Sequence, residues 1–146
     1  MTVAASKPAT SRFVVARASE ITPGERKRVT VRGRHVAIFN VKDEYFAILD
    51  RCPHQGGSLC RGKLIGRVEA DGPGRVRYSA EGEIVRCPWH GWEFDLRTGK
   101  SRCDPRRTWV KSYAASAEPG AAILDGPYVA ETFKIEVDQD YLVIEA

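Results

Sequence analysis

The chain has 146 residues, of which 42% are hydrophobic and 29% charged. That is enough for one domain with its own core, and it excludes collagen, coiled coil and wholesale disorder. The net charge of +4 is unevenly spread: residues 51–111 hold 13 Lys+Arg against 7 Asp+Glu, and residues 112–146 hold one Lys against seven acids. Basic residues are interleaved with acids and no RNA-binding signature is present, which argues against a nucleic-acid partner. The excess is either a solvated surface or a field that steers an acidic partner toward the basic half, and such steering weakens with salt.

The first twelve residues are rich in Ala, Ser and Thr. They carry neither the apolar core of a signal peptide nor a spanning run, so residues 1–12 are expected to be a flexible tail on a cytoplasmic protein without membrane attachment. Residues 13–146 are expected to form one domain. Arg12–Ala16 and Arg28–Val31 are short β-rich runs bounded by Pro23-Gly24 and Gly33. His35–Val41 and Tyr45–Leu49 read as a hairpin turned at Lys42-Asp43-Glu44, which delivers the chain to Cys52. From Arg61 to Glu83 the chain is punctuated by Gly62, Gly66, Gly72-Pro73-Gly74 and Gly82, with a strand predicted over Arg75–Tyr78. Glu83–Arg86 leads into Cys87, and Trp92–Asp95 leads away from it. Near the C-terminus, Thr132–Val137 alternates with period two, and Asp138-Gln139-Asp140 turns the chain into Tyr141–Ile144, which predicts a half-buried hairpin. No long stripe of 3.6 period appears, so the expected class is all-β, with stacked antiparallel sheets.

Two boxes carry the chemistry, Cys52-Pro53-His54 and Cys87-Pro88-Trp89-His90-Gly91-Trp92. Two thiolates and two neutral imidazoles can hold the two irons of a 2Fe-2S cluster, each loop giving one ligand to each iron. The same four residues also suit a tetrahedral zinc. Zinc knots usually pair cysteine with cysteine and histidine with histidine, whereas here each box is mixed. Cys60 and Cys103 are left over and read as small thiols outside the ligand set.

The boxes resemble those of Rieske 2Fe-2S proteins, and the likeness runs from about Phe13 to the C-terminus. Gly56-Gly57, Gly91, Phe94-Asp95 and Thr98-Gly99 match as well, and Asp104-Pro105 stands where the family has a proline loop over the cluster. The resemblance implies that Cys52 and Cys87 bind the inner iron and His54 and His90 the outer one. One departure is plain: 32 residues separate His54 from Cys87, about twice the family's usual spacing, and residues 64–82 are read as an inserted surface hairpin. Trp89 occupies the position at which respiratory Rieske subunits carry a disulfide cysteine. High-potential members place Ser and Tyr where this chain has Trp92 and Phe94, so the resemblance is to the soluble, low-potential ferredoxins of oxygenase systems.

Catalysis finds little material in the chain. A mononuclear oxygenase iron needs two histidines and a carboxylate, and once His54 and His90 are used only His35 remains. No phosphate loop or nucleophile elbow is present. The expected function is one-electron carriage between a reductase and an oxygenase or other redox enzyme. The alternatives are a Rieske-like small subunit bound to a larger oxidoreductase, and a zinc-stabilised interaction module.

Overall fold

The computed structural model describes residues 10–53, 56–70, 72–74, 76–89, 91–130 and 133–146. The strands are β1 (Arg12–Arg17), β2 (Arg26–Val31), β3 (Arg34–Val41), β4 (Glu44–Leu49), β5 (Lys63–Ala70), β6 (Val76–Arg86), β7 (Glu93–Asp95), β8 (Ser112–Pro119), β9 (Tyr128–Val129) and β10 (Asp140–Glu145), with one short helix, α1 (Gly120–Asp125), between β8 and β9. They form a seven-stranded curled sheet in the order β2-β3-β4-β8-β10-β1-β9 and a three-stranded sheet β5-β6-β7. All pairings are antiparallel except that of β1 with β9. The all-β expectation is therefore met.

Period-two alternation explains how one strand, β3, serves two cores. Every residue of β3 from Val36 to Val41 is buried. Val36 and Ile38 enter one core with Ala16, Ile21, Val29, Ala47, Leu142 and Ile144, inside the curl of the large sheet. Ala37, Phe39 and Val41 point the other way, into a second core with Phe46, Ile48, Val85, Phe94 and both box cysteines. A strand covered on both faces reads as a continuous apolar run, which Val36–Phe39 is. The β3–β4 hairpin closes through Lys42 and Asp43, with φ of 52° and 66°, the two left-handed positions that a two-residue hairpin turn requires.

Arg97 fastens the two sheets from outside. Its Nη1 and Nη2 reach Glu44 Oε1 and Oε2 at 2.8 and 2.7 Å, its Nε contacts Glu83, and its guanidinium lies 4.9 Å above the Phe46 ring. A bidentate, stacked arginine of this kind holds its geometry better than an isolated surface pair.

The β5–β6 hairpin consists of two ladders. Lys63, Leu64 and Ile65 pair with Arg86, Val85 and Ile84, then the register breaks, and Arg67–Ala70 pair with Ser79–Val76. The strand predicted over 75–78 is, from Val76 on, part of β6, which continues through Glu83–Arg86 to the second box; Arg75 lies outside the described residues.

Three expectations are corrected. Arg12, assigned to the tail, is the first residue of β1, and Ser11 exchanges two backbone hydrogen bonds with Ala146; residues 1–9 lie outside the described residues. The C-terminal hairpin does not form: β10 pairs with β1 and β8 instead. Phe133 and Ile135 do turn inward against Val14, Ile123, Tyr141 and Val143, as their alternation requires. Their backbone is held by a side chain, since the Tyr141 hydroxyl accepts from Glu136 N–H at 2.8 Å and donates to Lys134 O at 3.2 Å. Lastly, β8 and α1 have no counterpart among the predicted elements. Among the described residues no helix is long and apolar enough to cross a membrane.

Candidate metal centre

Each box leaves the end of a strand and is folded back by its own backbone. In the first, the turn after β4 is fixed by Leu49 N–H to Lys111 O (2.8 Å) and Asp50 N–H to His35 O (2.9 Å). The loop then closes on itself: Cys52 N–H donates to Gly57 O (2.8 Å) and Gly56 N–H to Cys52 O (2.7 Å). Gly56 takes φ of 79°, a left-handed conformation that suits glycine. The second box closes in the same manner through Cys87 N–H to Trp92 O (2.7 Å), with Gly91 at φ 71°.

These closures bring Cys52 and Cys87 together, each 1% exposed, in the core that β3 shares with the small sheet. The two thiols belong to one buried cluster, and the Cys87 sulfur lies beside the Trp89 ring. Burial, and then the neighbouring Cys52, push the Cys87 thiol above its ordinary pKa, with the Trp89 N–H pulling the other way. Gly57 makes this packing possible, because a Cβ there would stand 3.1 Å from Cys87 Sγ and 3.1 Å from the Trp89 ring.

Two adjacent thiols in an apolar enclosure fit an iron–sulfur cluster by the chemistry of the donor set. Thiolates are the ligands iron–sulfur clusters take, and a cation bound between them compensates the charge that burial would otherwise disfavour. The Trp89 backbone N–H, which favours the Cys87 thiolate, suits a negatively charged cluster. His54 and His90 lie outside the described residues.

Asp50, two residues before Cys52, is a supporting residue that the sequence did not single out. Its side chain is fully buried, and it takes 2.8 Å contact from Arg28 Nε, 2.9 and 3.0 Å hydrogen bonds from Ser58 Oγ, and 2.7 Å from Cys60 N–H. It thereby ties β2 to both ends of the first loop. Cys60 itself is half-buried and Cys103 exposed, and neither is bridged; burial first, then Asp50, raises the Cys60 thiol above its ordinary pKa. His35 is exposed on β3, 3.4 Å from Thr30 Oγ1.

The loop after β7 returns to the first box. Buried Ser101 accepts from Cys103 N–H and Asp104 N–H at 3.3 and 3.4 Å, and Asp104 O accepts from Thr108 N–H at 2.9 Å. The loop so formed places Arg107, Thr108 and Trp109 around a hollow of about 430 Å³ whose other walls are Pro53 and Trp92. Asp104-Pro105 thus belongs to a loop bordering both boxes.

Comparison with known proteins agrees with this geometry. The model of the Rieske [2Fe-2S] domain matches residues 11–114. The biphenyl dioxygenase ferredoxin subunit of Pseudomonas sp. (strain KKS102) is 32% identical over 106 residues, covering 73% of this chain and 84% of that one. Cholesterol 7-desaturase nvd 1 of Ciona intestinalis is 33% identical over 92 residues, 62% of this chain, which spans only 16% of that enzyme's length. Among solved structures, the ferredoxin of carbazole 1,9a-dioxygenase from Nocardioides aromaticivorans IC177 superposes with a TM-score of 0.60 over 93% of this chain and 97% of that one, at 22% identity, and so shares the fold. Paired buried thiols, the match of residues 11–114 and a ferredoxin relative aligned over most of its length together place the chain in the Rieske [2Fe-2S] family, as an electron-transfer protein with one 2Fe-2S cluster.

Proposed function

We propose that this protein is a cytoplasmic ferredoxin that passes electrons from a reductase to a terminal oxygenase or another oxidoreductase, with Cys52 and Cys87 holding the inner iron and His54 and His90 the outer. The observation that carries the ligand assignment is the pairing of the two box thiols inside the core, each on a loop closed by its own backbone. When bound, such a cluster takes up and releases one electron at a time. The chain's own residues supply the frame: two thiolates to compensate the iron charge, the Trp89 N–H directed at sulfur, and an apolar enclosure on the inner side. The biphenyl dioxygenase ferredoxin relative supports the oxygenase-system role. A non-catalytic role is supported by histidine arithmetic, since His35, the one histidine outside the proposed ligand set, is exposed near the start of β3.

We read the chain from Ser11 on, two residues earlier than expected, as one domain, with about 64–82 inserted into it. The register break between Ile65 and Arg67 supports this, for it separates the short inner ladder that carries the second box from the outer ladder.

Purified anaerobically, the protein is expected to be red-brown, with about two irons and two sulfides per chain, and to show a Rieske-type EPR signal only after reduction by dithionite. A colourless protein with one zinc and no acid-labile sulfide would overturn the carrier role. The potential is expected toward the low end of the Rieske range of about −150 to +300 mV. Phe94, fully buried in the same core as both thiols, lacks a hydroxyl to donate to sulfur. Reduction adds negative charge, so a new donor favours the reduced state. Phe94→Tyr should therefore raise the potential by tens of millivolts in protein-film voltammetry; an unchanged or lowered value would show that position 94 does not reach the cluster's sulfurs.

A further inference from the structure

The large aromatic side chains left most open to solvent are both tryptophans at the box loops. Trp89 is 52% exposed and packs on Gly57 beside the Cys87 sulfur, while Trp109 is 60% exposed and flanks Pro53 and Trp92. Burying such rings on a partner releases a large apolar area, and tryptophan is the residue type that most often anchors an interface. The loop that carries Trp109 also carries Arg102, Arg106 and Arg107, all exposed. Among the described residues none of these three guanidinium groups has an ion-pair partner. Three other arginines, by contrast, are paired: Arg28 with Asp50, Arg86 with Glu93, and Arg97 with Glu44 and Glu83.

We propose that Trp89 and Trp109 with Arg102, Arg106 and Arg107 form the docking face for a redox protein whose electron-exchange surface is an apolar recess rimmed by carboxylates. The inference rests on the carrier role and adds to it the face used and the sign of the partner. The arginines steer the encounter at long range and the two rings hold the complex once formed. Charge and anchor stand beside the same two loops, so an acidic partner is delivered to the cluster and not to the remote, acid-rich C-terminal part of the chain.

The test uses the cluster-loaded protein and, as acidic probe, a flavodoxin in its hydroquinone form, with cluster reduction followed by stopped flow. The second-order rate should fall as salt rises, and the variant Arg102→Glu/Arg106→Glu/Arg107→Glu should lower it by about tenfold or more at low salt. A control carrying the same charge change, Arg17→Glu/Lys42→Glu/Lys134→Glu, should lower it far less. Arg17 ends β1 opposite Tyr141, near the start of β10, and the Tyr141 hydroxyl donates to Lys134 O; Lys42 precedes β4 at the end away from the first box. Trp109→Ala should slow the reaction without altering its salt dependence. Reduction by dithionite and the EPR signal should be unchanged in all three. Equal losses in the two charge variants, or none in either, would overturn the face. Arginine-dependent retention of a single-stranded oligonucleotide at physiological salt, with no effect on the flavodoxin rate, would also overturn it. Should the arginine variant fail to load its cluster, Trp109→Ala and the wild-type salt series decide. A wild-type protein without a cluster spectrum would instead refute the carrier role, and that is visible before any rate is measured.

Discussion

Cys52→Ser and Cys87→Ser, each alone, are expected to yield colourless protein with no acid-labile sulfide and no EPR signal after dithionite. A serine oxygen is a harder and far less acidic donor than a thiol, and it matches iron–sulfur chemistry poorly. The site adds a second loss. Both positions are in an apolar core, and a hydroxyl left without a partner there costs about 1–3 kcal/mol. Cys60→Ser and Cys103→Ser are the matched controls and should keep the full spectrum, since one is half-buried beside Asp50 and the other is exposed. Iron and sulfide counts on the four variants decide the matter: a cluster that survives at Cys52→Ser and is lost at Cys60→Ser would put the ligand set on the wrong thiol.

Asp50→Ala should be strongly destabilising for a single polar substitution. Removing the carboxylate strands the Cys60 N–H and the Ser58 hydroxyl and frees Arg28, whose side chain is half exposed and can rehydrate. Hydrogen bonds to a charged group contribute about 1.5–3 kcal/mol each, so a net loss of about 3 kcal/mol is expected. For a chain of this size that lowers the melting temperature by about 10 °C. Asp50→Asn keeps one acceptor oxygen and should lose roughly half as much. Thermal unfolding followed by circular dichroism separates the three proteins, and an Asp50→Ala melt within 2 °C of wild type, about the scale of a neutral surface change, would show that the first loop is held by something else.

The parts of this fold that were legible are those where one residue type had one reason to be there. β3 and β4 were readable because both of their faces are apolar and a two-residue turn joins them, and the boxes were readable because mixed cysteine and histidine with flanking glycine has few other uses. β8 was not, because apart from Tyr113 its residues from Ser112 to Ala117 are small, and all are at least partly exposed; only the pairing with β4 and β10 makes it a strand. α1 has six residues, too few to show a helical period. The C-terminal alternation misled for a different reason. Phe133 and Ile135 do face inward, yet Tyr141 supplies through its hydroxyl the bonds a strand partner would have given. Asp50 was silent because a single acid before a loop has no pattern, and its role exists only once Arg28, Ser58 and Cys60 have converged on it.

The backbone closures of the two boxes bear on the speed of electron exchange. Cys52 N–H to Gly57 O and Cys87 N–H to Trp92 O fix each cysteine from its own main chain, and both thiols are buried in the core. An electron jump is slowed by the nuclear motion needed to accommodate the new charge. Sulfurs held this tightly keep that reorganisation small, so the rate stays high even when donor and acceptor differ little in potential. A carrier with such a frame can work close to equilibrium, in either direction, without the driving force that a looser site would demand.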